Sequence, residues 1–175
     1  MKSIIIYGSC YGTTEKYALA MSQITETECV PYDKIDDINA YDKIIYFGGL
    51  YAGGVLGLSK TFRKLAEPSG KDLVIITVGL ADSTDQVNIQ NIRKSMKTQI
   101  SQAVYENAKI FHLRGGIDYE KLNFKHKTMM SLLYNKVKKM PPEKQNAETK
   151  AMIESYNQKV DFVDLDKLND ILRKI

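Results

Sequence analysis

The sequence predicts a three-layer α/β fold: a five-stranded parallel sheet wound with helices on both faces, plus an added helical segment after the fifth strand. Two observations carry that expectation. Short apolar segments alternate with segments of helical spacing, the arithmetic of a parallel sheet. Glycine-bearing loops follow the first, third and fourth apolar segments, where such a sheet binds ligands. With 175 residues, the chain suits a single domain, 1–175, whose core needs no staples.

The first strand is the run Ile4-Ile5-Ile6, which breaks at Gly8 into the loop Ser9-Cys10-Tyr11-Gly12-Thr13-Thr14. A helix follows at once through Thr14, Tyr17, Ala18, Met21 and Ile24. Strand, small-residue loop and helix start together make a phosphate cradle, because backbone N–H groups and the positive end of the helix dipole converge there. Hydroxyls of Ser9, Thr13 and Thr14 add donors. The loop lacks the Gly-Lys-Ser/Thr ending of a nucleoside triphosphate site and the three spaced glycines of a dinucleotide site. A thiolate phosphatase built on Cys10 would need an arginine clamp after it, and none follows. What remains is a holder of one phosphate monoester, or a plain Gly and Thr turn.

Cys29 to Asp33 reads as the second strand, placed at an edge because Pro31 cannot donate to a ladder. The doubly wound order 2-1-3-4-5 also puts the second strand at an edge. The third strand, Lys43 to Gly48, runs into the loop Gly49-Leu50-Tyr51-Ala52-Gly53-Gly54, followed by a helix near Leu58 to Ala66 that ends at Pro68 and Gly70. Asp72 to Val78 is the fourth strand and the most apolar, hence central; it empties into Gly79-Leu80-Ala81-Asp82-Ser83. One helix is expected over about Val87 to Tyr105, then a fifth strand from Ala108 to Leu113.

The three loops at strand ends suit a ligand with a phosphate at one end and a flat apolar ring at the other. Over most of its first 113 residues the chain resembles the flavodoxin family, whose cofactor is FMN and whose sheet has the order 2-1-3-4-5. Ser9-Cys10-Tyr11-Gly12-Thr13-Thr14 matches that family's phosphate loop, and Leu50-Tyr51-Ala52-Gly53 the loop covering one face of the flavin. Thr77-Val78-Gly79-Leu80-Ala81-Asp82 matches the loop that reads the ring's polar edge through backbone groups. The resemblance thus implies FMN as cofactor, with these three segments holding it. Tyr51 is the candidate for stacking on the ring, and Tyr11 for covering the ribityl chain.

The tail departs from small flavodoxins. An insert of about 114–160 carries a helix from about Phe124 to Met140, stopped by Pro141-Pro142; a polar segment and a closing helix through Leu168, Ile171 and Leu172, capped by Asp164 or Asp166, come after it. This insert resembles that of flavodoxin-type protoporphyrinogen oxidases, which pass electrons to a quinone. Arg114, Tyr119 and His126 are the substrate-side candidates, Arg114 toward a carboxylate or simply in a surface ion pair. His112, inside a strand, reads as a packed residue. The apolar group Met129, Met130, Leu132, Leu133 and Val137 faces substrate, membrane or core.

Net charge is +4, concentrated between Lys109 and Lys150. That basic run is a solvated helix face or a contact for an anionic surface, a membrane or quinone site included; a nucleic-acid partner is not expected, nor is a metal. Two unpaired cysteines and no leader-like or membrane-spanning run point to a soluble cytoplasmic protein. Functionally, the expectation is an FMN-dependent oxidoreductase moving electrons between a porphyrinogen- or quinone-type substrate and an acceptor, or an electron-transfer flavodoxin serving a protein partner. A receiver-type signalling module is excluded, since Gly48 and Gly49 stand where its acidic phospho-acceptor belongs.

Overall fold

Residues 1–175 are described by a computed structural model. Strand β1 (Ser3–Gly8) leads through the loop into helix α1 (Thr13–Thr25), and β2 (Cys29–Pro31) returns to the sheet. Strand β3 (Lys43–Tyr51) turns into the two-residue strand β4 (Gly54–Val55), which precedes α2 (Leu58–Phe62) and β5 (Asp72–Gly79). Helices α3 (Gln86–Gln99) and α4 (Gln102–Asn107) lead to β6 (Ala108–Arg114). The tail contains β7 (Gly116–Asp118), α5 (Phe124–Val137), α6 (Ala147–Glu154), β8 (Lys159–Asp161) and α7 (Lys167–Leu172).

The main sheet runs β2-β1-β3-β5-β6, all parallel, with β4 paired antiparallel to the end of β3. Counting only the parallel strands, this is the expected order 2-1-3-4-5, with the Pro31 strand at its edge. Alternate residues of the central strands feed two cores. Ile4, Ile6, Ile44, Tyr46, Leu73 and Ile75 pack with Leu58, Phe62, Ile92, Met96 and Val104 on one face. Ile5, Ile45, Phe47, Val74 and Ile76 pack with Tyr17, Ala18 and Met21 of α1 and with Leu168 and Ile171 of α7 on the other. Both faces being covered explains why these strands read as unbroken apolar runs.

Four expectations need correction. The third strand does not stop at Gly48: it continues to Tyr51 and pairs back through β4, the turn being made by Ala52 (φ 50°) and Gly53 (φ 82°). Positive φ at both central positions is what a tight hairpin turn demands, and glycine meets it without strain. The helix near Leu58 to Ala66 is one turn and a half, ending at Phe62. The helix from Val87 to Tyr105 breaks at Ile100, whose extended backbone (φ −129°) lets Ser101 accept the Val104 amide and start α4. Periodicity does not register the break because Met96 and Val104 on either side of it, and Ile100 within it, are all buried. Neither Asp164 nor Asp166 caps α7 with its side chain; the Asp164 carboxylate accepts from the Asp166 amide instead.

The tail builds a third, smaller core from Ile117, Tyr119, Leu122, Met130, Val137 and Met152. Helix α6 and strand β8, the antiparallel partner of β7, lie in the stretch that reads only as polar in the sequence. Met130 and Val137 are therefore core residues, while Leu132 (68 % exposed) and Phe124 (86 % exposed) face solvent. No helix is long and apolar enough to cross a membrane.

In-register pairing aligns Gly8, Gly48, Thr77 and His112 in one row across the sheet. At the end of that row Arg93 Nε donates to His112 Nε2 (3.3 Å), which leaves Nδ1 to carry the proton and donate to Thr77 Oγ (2.7 Å). Burial, and then the Arg93 charge, push the His112 pKa down to about 4. An unfolded histidine near 6.5 binds protons more readily than this folded one, so the unfolded state takes up protons first as the solution is acidified. His112 thus contributes stability that is complete above pH 6.5 and is lost as pH falls toward 4, about 3 kcal/mol across the window. Urea midpoints measured from pH 7 to pH 4 should fall more steeply for the wild type than for His112→Gln; parallel curves would show that the ring is not held neutral.

Candidate functional site

The carboxyl ends of β1, β3 and β5 meet at one edge of the sheet. After β1, the chain passes Gly12 in the left-handed region (φ 90°) and enters α1 without a side-chain cap. Ser9 Oγ accepts the Gly12 amide (3.1 Å), while the amides of Tyr11, Thr13 and Thr14 have no acceptor within the protein. Those free donors at the start of a 13-residue helix are the features a phosphate needs. The loop rests on bare backbone: a Cβ on Gly49 would stand 2.9 Å from Thr14 Oγ, and one on Gly115 2.8 Å from Thr13 Oγ. Glycine at both places lets β3 and the β6–β7 turn approach the two threonines.

Cys10 and Tyr11 are half-buried. Burial pushes the Cys10 thiol up, so it stays protonated, and this agrees with the absence of a clamping arginine in excluding a thiolate nucleophile. Cys10 Sγ lies 3.6 Å from His126 Nε2 on α5. The Tyr11 ring lies edge-on to Tyr51 (centroids 6.4 Å apart) and to His126 (6.0 Å). The two tyrosine hydroxyls are held from above by α5, Tyr11 donating to Met130 Sδ and Tyr51 to Met129 Sδ. The methionine stripe is thus divided between the small core and the site's tyrosines.

Two cavities adjoin here. A narrow slot of about 50 Å³ runs past Cys10, Thr13, Thr14, Gly49, Val78 and Gly115. A chamber of about 390 Å³ opens beside it, between the Leu50–Val55 hairpin, Ile92 of α3, and Met130, Leu133, Lys136 and Thr149 of α5 and α6. Tyr11, Leu50, Tyr51, Leu80 and Glu148 line both. A slot ending in free amides, continuous with an apolar chamber, has the shape of a ligand with a monoester on a flexible stem and a flat ring.

A model of the flavodoxin domain matches residues 4–145. The chain belongs to the flavodoxin domain family. Among solved structures, flavodoxin 2 from Bacillus cereus aligns at 18 % identity, covering 65 % of this chain and 84 % of that one, with a TM-score of 0.48. A cysteine-to-alanine mutant of flavodoxin from Pseudomonas aeruginosa aligns at 16 % identity over 77 % of this chain and 95 % of the other (TM-score 0.42). A Fusobacterium nucleatum flavodoxin mutant bound to flavin mononucleotide aligns at 13 % identity over 71 % and 74 % (TM-score 0.45). Among curated proteins, none matches.

Within this flavodoxin domain, the expected cofactor segments fall unevenly. Residues Cys10, Tyr11, Thr13, Thr14, Leu50, Tyr51, Ala52, Gly53, Val78, Gly79 and Leu80 all line one cavity or the other. Ser9 and Gly12 line neither cavity and shape the loop through the bond between them. Thr77 is not at the site: it is buried in the strand and spends its hydroxyl on His112. Asp82 turns away, accepting the Thr84 amide (2.8 Å) and hydroxyl, which holds its carboxyl below the usual range. The substrate-side candidates also separate. Arg114 makes no ion pair; it donates to the Leu80 carbonyl (2.8 Å) and stacks on Phe162 at 3.6 Å, so it positions the β5 loop rather than presenting itself to a substrate. Tyr119 is buried in the small core against Tyr156, its hydroxyl unpaired and its pKa pushed up to about 12 by burial. His126 alone of the three lies against the β1 loop, beside Cys10 and Tyr11.

One residue escapes the sequence reading entirely. Glu148, on the first turn of α6, accepts the Leu80 amide (2.6 Å) and the Ala81 amide (3.0 Å), one with each carboxylate oxygen. These are the amides that the family resemblance assigns to a ring's polar edge, so that edge is not free in this conformation. The only signal in the sequence is Asn146, which caps α6 by accepting the Thr149 amide and so places Glu148 facing the loop.

Proposed function

We propose that this protein binds FMN non-covalently and works as a flavin-dependent oxidoreductase, passing electrons between a quinone- or porphyrinogen-type substrate and an acceptor. The observation that carries the reading is the pair of adjoining cavities: free amides of Tyr11, Thr13 and Thr14 at one end, and at the other a chamber between the Tyr51 hairpin and Leu80. The residues fit the cofactor at the phosphate end as they stand, and at the ring end once the Glu148 carboxylate moves aside. When bound, FMN supplies the one- and two-electron chemistry. The chain's own share is to grip the monoester with the β1 loop, to place Tyr51 beside the ring, and to exclude water with α5 and α6.

The roof favours a small substrate over a protein partner. Helices α5 and α6 cover the chamber with Met130, Leu133 and Met152, leaving an apolar space beside the hairpin rather than an open docking edge. The porphyrinogen oxidase likeness of the insert belongs to this proposal, as does any contact of the basic α5 face with a quinone-bearing membrane surface.

A visible spectrum of the purified protein, with FMN added if it is colourless, is the first test: a yellow protein is expected, and a chain that takes up none removes the reading. With FMN loaded and reduced, quinone, porphyrinogen and a protein acceptor such as ferredoxin are then compared. Leu133→Trp, which fills the chamber, should slow the small substrate at least tenfold and leave exchange with a protein acceptor unchanged. Equal rates for both chains on every substrate would identify an electron-transfer flavodoxin instead.

A further inference from the structure

We infer that Glu148 is a built-in competitor for the ring end of the site, a latch that holds the Leu80 and Ala81 amides in the ligand-free protein and hands them over as the ring enters. The inference rests on the FMN reading and deepens it.

Each oxygen of the Glu148 carboxylate takes one of two consecutive backbone N–H groups, at 2.6 and 3.0 Å. Charge-assisted bonds of this kind are roughly twice as strong as neutral ones, so the pair is the preferred occupant of those donors until something replaces both bonds. The loop is shaped for it. Gly79 has no side chain, and a Cβ there would stand 3.0 and 3.1 Å from the two carboxylate oxygens. Arg114 fixes the loop from below through the Leu80 carbonyl, which keeps the two amides aimed at the roof. Glu148 also lines both cavities, so it stands where the slot opens into the chamber.

Lys136 of α5 lines the same chamber and makes no ion pair. It supplies a second resting place for the displaced carboxylate. The device therefore has two states: Glu148 on the Leu80 and Ala81 amides with the ring site shut, or Glu148 turned toward Lys136 with the amides given to the ring's polar edge. A ligand shifts such an equilibrium only by its differential affinity for the two states, and the shut state lowers its apparent affinity by the fraction of chains that are shut.

Titration with FMN, read by quenching of flavin fluorescence, tests this on the wild type and four variants. Glu148→Ala is expected to bind FMN about tenfold more tightly than wild type, and Glu148→Gln, which keeps shape but loses charge, to fall between them. Lys136→Met is expected to weaken FMN about fivefold in the wild-type background and to do nothing in the Glu148→Ala background, since the lysine acts only through the glutamate. In the ligand-free proteins, hydrogen exchange at the Leu80 and Ala81 amides should be at least tenfold faster in Glu148→Ala than in wild type. If both chains bind FMN equally, or the variant more weakly, the latch is overturned and the FMN site stands. If neither takes up FMN, the FMN reading falls and the latch falls with it. A wild type that refuses FMN beside a Glu148→Ala chain that accepts it supports both.

Discussion

Ser9→Asp should abolish useful FMN binding while leaving the folded protein at least as stable as before. Ser9 Oγ accepts the Gly12 amide at the mouth of the loop, and an aspartate carboxylate accepts the same proton with more charge. It then places a negative charge at the start of α1, where the free amides of Tyr11, Thr13 and Thr14 point. For the ligand-free chain that is favourable, by about 0.3 to 1 kcal/mol, because the helix dipole is positive there. For a phosphate dianion the same carboxylate is a like charge in contact distance, which costs several kcal/mol. At least a hundredfold loss of FMN affinity is expected, with riboflavin, which lacks the phosphate, affected less than threefold. Calorimetric titration with the two ligands separates the effects. If FMN and riboflavin weaken together, the phosphate lies elsewhere and the loop is only a turn.

Gly8→Ala is expected to be strongly destabilising for a single added methyl. A Cβ on Gly8 would lie 2.2 Å from the Leu56 carbonyl oxygen. That oxygen belongs to the backbone, already accepts the Tyr46 hydroxyl, and is fixed because the Leu56 amide donates to the Gly49 carbonyl (2.9 Å). Nothing flexible stands in the way to yield, in contrast to Gly54, whose Cβ would meet only the end of the Gln99 side chain. Overpacking against rigid backbone costs about 3 kcal/mol. With an m-value of about 2 kcal/mol/M, the urea midpoint should fall by about 1.5 M. Gly12→Ala offers the comparison: its Cβ meets nothing within 4 Å, and only the positive φ is strained, so about 1 kcal/mol is expected. A Gly8→Ala shift below about 0.3 M would mean that β1 can retreat from the Leu56 turn, and that the row of backbone beneath the β1 loop is softer than its packing indicates.

Both predictions concern the β1 loop because that is where sequence and structure speak most directly to one another. Ile4 to Ile6, the break at Gly8 and the helical spacing from Thr14 onward are local patterns, and each is imposed by what a buried parallel strand and an amphipathic helix must look like. The same holds for Pro31 at the sheet's edge and for the apolar run from Leu73 to Val78 in its interior, although β3 rather than that strand is the middle one. Turns and breaks are harder to read. The hairpin at Ala52 and Gly53, and the interruption at Ile100 and Ser101, leave the apolar spacing intact and show only in backbone angles and amide partners.

The sequence by itself determined the order of the sheet, the family to which the chain belongs and the three loops that meet at one edge, because these follow from periodicity and from residue types within a few positions of one another. The tertiary structure alone decided what those loops touch. Arg114 became a brace for Leu80, Thr77 was drawn into the His112 pair, and Glu148, 68 residues along the chain from Leu80, came to sit on its amide. Contacts of that separation depend on how α6 packs over the sheet's edge, and no window of local sequence contains both partners.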